Sequence, residues 1–453
     1  MLPLIHLLCI IETNDIEILQ RGVLMMKNSD YPSNQTNSDN RDDANVPSAA
    51  EKAGDDSQKN IPVKKRSLKA VKKPNPFLFY PACAIASLFF KLRLRTSYDL
   101  SGIKNIKGPA LVVCPHTSNI DFMFAALSLF PHRPTFVVSD HFMANPKTRW
   151  ILKAMHVIPK KMFCPDVRTI MSIIRAKNAN QIIVLYPEGR LTCVGHSLPV
   201  TEGTADLIKK LGIDVYWLSQ NGAYKTLPKW GKAGLRPGKV SVTTGKLFDH
   251  EDIKNYSIDE IHAALEKVIV HDDEKYFADV EYRCSAPAKG LDGIIYKCPE
   301  CLEEFKMESG DDYIRCTNCG FESRLSQKYT LSGGPFDTIN QWFFWQDSLI
   351  DIDEPLSSKV IVGSAGKDGN MDRDAGEGIL IMDREKIHFQ GTCFGKPLEF
   401  TEKTSDIKAF PSSVGSHFDI YHKKIMYIMQ PVPDRRQSIK WMMYLDKVTR
   451  ESK

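Results

Sequence analysis

Between Ser97 and Phe277, short β-branched runs alternate with longer helical patterns, and this alternation constrains the fold more than any other feature of the 453-residue chain. Ala110-Leu-Val-Val-Cys114 reads as a buried strand followed by a helical pattern over Ile120–Phe130. Gln181–Tyr186, Asp214–Leu218 and Val240–Thr244 read as further strands, and Ile258–Val270 carries apolar residues at 261, 265, 268 and 269. Strands that alternate with helices make an α/β sheet, whose functional residues sit just beyond strand ends. At roughly 150 residues per domain the length suits two or three domains. An apolar content of 42% with 25% charged residues excludes a wholly disordered chain, a collagen-like repeat and a polytopic membrane protein.

Two groups of polar residues follow strands. Pro115-His116-Thr117-Ser118-Asn119-Ile120-Asp121 gives a His-x4-Asp spacing at a strand-to-helix junction. There the first helical turn returns a carboxylate to the imidazole, favouring the cation that forms when the other ring nitrogen takes a proton. That is the equipment of a base that activates a hydroxyl. Ser118 or Asn119 is expected to cap the helix. Sixty-seven residues past Asp121, the segment Leu185-Tyr186-Pro187-Glu188-Gly189-Arg190 ends a strand in a tight turn whose guanidinium suits a phosphate.

With both motifs in this order, the segment Leu92–Phe277 resembles the glycerolipid acyltransferases, typified by lysophosphatidic acid acyltransferases. Met155-His-Val-Ile-Pro-Lys-Lys161, Glu202-Gly-Thr-Ala205, Leu211–Val215, Asn221-Gly222 and Arg236-Pro-Gly-Lys-Val240 follow in family order. The resemblance implies acyl transfer from acyl-CoA or acyl carrier protein (acyl-ACP) to a lysophospholipid hydroxyl. His116 would be the base, Asp121 its orienting partner, and Glu188, Gly189, Arg190, Lys160 and Lys161 the binders of the acceptor phosphate. The sequence departs from the family at three places. Arg190 and Leu191 stand where Thr-Arg is usual, Lys160 and Lys161 stand near a usual arginine, and Val215-Tyr216-Trp217 lacks the usual proline. Direct attack by the acceptor is expected rather than an acyl-enzyme, because Cys114 falls within a buried strand.

Cys298-Pro-Glu-Cys301 and Cys316-Thr-Asn-Cys319 are separated by fourteen residues. Two such knuckles supply four thiolates for a closed, structural Zn2+ ribbon. Six acidic residues outnumber Lys306 and Arg315 between Cys298 and Gly320, so nucleic acid is not an expected partner. Eleven cysteines at this density indicate a reducing compartment rather than a disulfide scaffold.

Charge is localised too. The chain has 60 Lys+Arg against 55 Asp+Glu, a net +5, yet residues 61–95 hold nine basic residues and no acidic one, so the remainder is net acidic. Within that stretch lies the apolar run Pro76–Phe90, read as a helix or hairpin lying in the interface of an anionic cytoplasmic leaflet.

The expected organisation is a mostly disordered extension over 1–60, whose first residues are either upstream of a true start at Met25 or Met26 or a weak membrane-surface helix, and a membrane-surface anchor over 61–96. An acyltransferase-like α/β domain over 97–280 precedes a zinc ribbon over 290–330, an aromatic helix or linker over 335–352, and a small, mainly β domain over 358–450 with a terminal helix. Its strand count and helix suit the pleckstrin-homology or GRAM class. The function this implies is a 1-acylglycerol-3-phosphate O-acyltransferase-like enzyme of phospholipid biosynthesis or remodelling, acylating the sn-2 hydroxyl of lysophosphatidic acid or a related lysophospholipid. The alternative is a non-catalytic lipid-binding or adaptor protein that keeps the fold.

Overall fold

The computed structural model describes residues 71–144, 146–162, 166–366, 371–423 and 425–452. The expectations for residues 1–70 lie outside these.

Seven strands form the first sheet: β1 (Ser97–Asp99), β2 (Ala110–Val113), β3 (Thr135–Ser139), β4 (Ile158–Lys160), β5 (Ile182–Leu185), β6 (Asp214–Asn221) and β7 (Ser241–Phe248). Their order is β1-β7-β6-β2-β5-β3-β4. The pairs among β2 to β6 are parallel, whereas β7 runs antiparallel to β6 and carries β1. Strands β2 and β5 read as unbroken apolar runs because all four residues of each are buried.

Helices α1 (Pro76–Arg93) and α2 (Asp121–Ser128) pack on one face of this sheet with Phe90 against Phe124, ring centroids 4.7 Å apart. Helices α3 (His141–Ala144) and α4 (Pro146–Ala154) follow β3. Helices α5 (Val167–Asn178), α6 (Thr204–Leu211), α7 (Ala223–Thr226) and α8 (Ile258–Ile269) complete the domain, with α5, α6 and α8 covering the opposite face.

Helix α1 starts with Asn75 accepting a hydrogen bond from the Phe77 amide and with Pro76 in its first turn, where a missing N–H costs nothing. Phe79, Cys83, Ala86 and Phe90 form its buried stripe, while Phe77, Leu88 and Leu92 are exposed. Burial of the two phenylalanines contributes about 2 kcal/mol each. Among the described residues no helix is long and apolar enough to cross a membrane.

The ribbon follows as β8 (Met307–Ser309), β9 (Tyr313–Cys316), β10 (Glu322–Leu325) and β11 (Leu331–Ser332), an antiparallel sheet in the order β11-β10-β9-β8. The aromatic helix α9 (Ile339–Ser348) buries Trp342 and Phe343, so the stretch expected to be a helix or linker docks on its neighbours.

The third unit is a seven-stranded antiparallel sheet: β12 (Leu356–Ala365), β13 (Met371–Met382), β14 (Lys386–Cys393), β15 (Lys396–Lys403), β16 (Ser412–Ser413), β17 (His417–His422) and β18 (Ile425–Val432). The order β15-β14-β13-β12-β18-β17-β16 makes the first strand the bridge between two meanders. Helix α10 (Gln437–Glu451) closes it, burying Trp441 against Phe418.

These units share one core, since a single buried cluster runs from Cys193, Tyr224 and Trp230 through Cys298, Ile314 and Trp342 to Phe389, Trp441 and Val448. Arg236 pins the first domain to the ribbon. Fully buried, its guanidinium lies 4.8 Å from the Trp230 ring and 5.3 Å from that of Tyr329, and donates to the Tyr329 hydroxyl and the Pro287 carbonyl. Arg436 pins the ribbon to α10 through Asp292, Asp434 and the Phe305 carbonyl.

Candidate active site

Strand β2 ends at Val113 beside Leu185, the end of β5, so the two sequence motifs emerge next to each other from neighbouring parallel strands. His116 Nδ1 lies 3.0 Å from Asp121 Oδ2. The same oxygen accepts the amides of Thr117 at 2.7 Å and Ser118 at 2.8 Å. Asp121 therefore ties down the loop that precedes its own helix; the expected Ser118 or Asn119 cap does not form, and Ser118 Oγ donates to the Leu227 carbonyl instead. Burial pushes the Asp121 carboxyl up, opposed by His116 and the two amides.

With Nδ1 facing the carboxylate, that nitrogen carries the hydrogen, and Nε2 holds the lone pair. Nε2 has no hydrogen-bond partner among the described residues, and the imidazole keeps 29% of its surface exposed. The Tyr186 ring lies against the imidazole, tilted by 30° with centroids 4.5 Å apart.

The Glu188 turn wraps the histidine backbone. Glu188, 2% exposed, accepts the His116 amide at 3.0 Å, and Thr192 donates its amide to the His116 carbonyl at 3.0 Å. Burial pushes the Glu188 carboxyl well up. Gly189 sits at φ 76°, a left-handed conformation that favours glycine at this turn. From the other side of β2, Gln220 donates to the Pro115 carbonyl at 2.7 Å. The backbone on which His116 stands is thus held from both flanking strands.

His116, Asp121 and Glu188 come together, with Gly189 and Arg190 next in the same turn and the Arg190 guanidinium directed to Asp446. Lys160 ends β4, two strands beyond β5, so the two lysines stand apart from the histidine on the same edge of the sheet. The Lys161 amide bonds Asp166 at 3.1 Å, and Asp140 lies near the Lys161 charge. Leu191, in the place of the family's arginine, is buried. Cys114 is fully buried, and burial pushes its thiol well up, while the Ser118 hydroxyl is committed to a carbonyl.

Sequence reasoning missed Asp446. It lies 256 residues from Arg190, on α10, and forms an ion pair with that guanidinium. No local pattern could have pointed to it. Tyr186, directly before Pro187-Glu188-Gly189, is the residue of that motif whose ring meets the imidazole.

The four cysteines converge. Cys298 and Cys319 sulfurs lie 3.7 Å apart, as do those of Cys301 and Cys316, and all four lie within 4.8 Å of one another. A tetrahedral ion with bonds of about 2.3 Å to sulfur has edges of about 3.8 Å, so the donor set and spacing fit Zn2+.

Residues 96–219 match the Acyltransferase family model. Residues 292–324 match a zinc-ribbon model described as DNA directed RNA polymerase, 7 kDa subunit. Among solved structures, the 1-acyl-sn-glycerophosphate (LPA) acyltransferase PlsC from Thermotoga maritima is similar at 18% identity, with a TM-score of 0.37, over 43% of this chain and 78% of that one. The chain carries an acyltransferase-family domain, then a zinc ribbon, then an antiparallel sheet domain.

Proposed function

We propose that the protein is an O-acyltransferase that moves a fatty acyl group from acyl-CoA or acyl-ACP to the hydroxyl of a lysophospholipid, in glycerophospholipid biosynthesis or remodelling. The observation that carries this reading is the His116–Asp121 pair beside the Glu188 turn, with the imidazole partly exposed and Nε2 without a hydrogen-bond partner among the described residues.

His116 Nε2 takes the proton of the acceptor hydroxyl as its oxygen attacks the thioester carbonyl. The tetrahedral adduct collapses, the carbon–sulfur bond breaks, and the imidazolium returns the proton to the leaving thiolate. Asp121 holds the tautomer and balances the imidazolium. Cys114 is too buried, and Ser118 too committed, to serve as a nucleophile, which supports direct attack. Glu188, Gly189 and Arg190, with Lys160 and Lys161 further along the edge, bind the acceptor head group.

Zn2+ in the ribbon acts structurally: four thiolates close the coordination sphere and leave no position for water. The acidic ribbon engages protein, not nucleic acid. Exposed Phe77, Leu88 and Leu92 on α1, with Lys91 and Arg93 beside them, seat the enzyme on an anionic membrane surface at the cytoplasmic face.

A second reading, a lipid-binding scaffold without turnover, draws support from the buried Leu191 and the paired Arg190. Incubation of the purified chain with labelled acyl-CoA or acyl-ACP and a mixture of lysolipids, with products identified by mass, separates the two. Acylated phospholipid supports the enzyme; lipid binding with no product supports the scaffold.

A further inference from the structure

Arg190 is the guanidinium of the turn beside His116, and it is not free. One arm is ion-paired to Asp446 of α10, and the side chains of the pair are only 11% and 19% exposed. The other arm, Nη1, is buried without a hydrogen-bond partner among the described residues. A cavity of about 70 Å³ adjoins the pair, walled by Leu191, Phe343, Phe344 and Met443 and bordered by the Asp347–Arg450 ion pair at 2.5 Å. Thr192, which also lines it, donates its amide to the His116 carbonyl, so the cavity is tied to the backbone on which the histidine stands.

We propose that Asp446 is a specificity-determining residue, which turns this site away from phosphomonoester acceptors and towards zwitterionic lysophospholipids, with a phosphodiester on Arg190 and an ammonium beside Asp446. This rests on the acyl-transfer reading above.

Charge and shape both favour such an acceptor. Among the described residues Lys229 adds a charge beside the pair, while Asp347 and Arg450 cancel. The sum of at most +1 matches the single charge of a phosphodiester, whereas a dianionic monoester would bring its second charge against the Asp446 carboxylate. Nη1 supplies the donor that Asp446 leaves over. The Phe343 and Phe344 rings and two carboxylates suit an alkylammonium, which binds aromatic faces and anions together. Along the same edge Lys160 has Asp166 nearby and Lys161 has Asp140, so the neighbouring cations are compensated as well.

The test uses the full chain and its Asp446→Asn and Asp446→Glu variants, with palmitoyl-CoA as donor. Acceptors are lysophosphatidic acid and lysophosphatidylcholine in the same mixed vesicles. The wild type is expected to favour lysophosphatidylcholine, and Asp446→Asn to shift the kcat/KM ratio towards lysophosphatidic acid by about tenfold or more, mainly through KM, with Asp446→Glu restoring it. A wild-type preference for lysophosphatidic acid, or a ratio unmoved by Asp446→Asn, would overturn the proposal. Calorimetry with glycerophosphocholine and glycerol 3-phosphate keeps the two readings apart. If no acceptor is acylated, the acyl-transfer reading fails, but tighter binding of glycerophosphocholine that Asp446→Asn abolishes upholds the pocket, and tighter binding of glycerol 3-phosphate overturns it.

Discussion

His116 and Asp121 were legible as a pair because five residues at a strand exit bring an imidazole and a carboxylate together locally. What the spacing could not convey is how heavily Asp121 is used: one oxygen takes the imidazole and two amides. Asp419 was not legible at all. Its environment is made by chain far away in sequence, with His141 Nδ1 at 3.8 Å and Arg373 and Asp140 nearby. Burial pushes its carboxyl up to about 7, against the Arg373 charge. A raised carboxyl holds its proton in the folded chain after the unfolded chain has released it. Its contribution to stability is therefore full below about pH 4 and is lost as pH rises through 7. His417, held at about 3 by burial, carries the opposite sign between about pH 3 and 6.5, and that part cancels when variant and wild type are compared at one pH. Asp419→Asn removes the alkaline loss. Urea unfolding should find the variant gaining on the wild type by about 1–2 kcal/mol between pH 6 and pH 8.5; parallel pH profiles would contradict this.

Elements were read well where their signal was local. Helix α8 spans Ile258–Ile269 where Ile258–Val270 was expected, and it begins with a Ser257–Glu260 capping box. The terminal helix runs Gln437–Glu451, longer at both ends than its apolar core of Ile439–Val448. The hairpin turn at Asp383-Arg384 separates β13 from β14. Strand β7 extends to Phe248, four residues past the expected Thr244, and pairs antiparallel with β6, a direction that no periodicity encodes. The cysteine knuckles were the most local signal, and their sulfurs converge. Cys301→Ser should lower bound zinc by about one equivalent per chain, measured by elemental analysis, and destabilise the ribbon, because a structural zinc contributes folding free energy directly. Retention of a full equivalent would place the metal elsewhere.

The whole molecule differs most from what the sequence conveyed. The ordered list of domains carries no information about which surfaces they share. Tyr224 and Trp230 of the first domain lie in one core with the ribbon and the last sheet, Arg236 is buried between the first two, and Asp446 reaches back to Arg190. A chain ending at Ala278 would expose Tyr224 and Trp230 and leave Arg236 without its Tyr329 partner, a loss of several kcal/mol from buried aromatics alone. It is expected to aggregate or unfold, as size-exclusion chromatography and circular dichroism would reveal; a soluble, fully active fragment would refute the shared core. The charge distribution points the same way, since the basic excess belongs to residues 61–95 and the rest of the chain is a net-acidic body with paired ions at its domain contacts. The central claim is acyl transfer with His116 as base. It is tested most directly by mass-resolved product formation from a labelled acyl thioester and lysophospholipids, comparing the wild type with His116→Ala at matched folding. The account predicts acylated phospholipid from the wild type and a loss of at least about 10²–10⁴-fold in the variant; turnover by His116→Ala near the wild-type rate would contradict it.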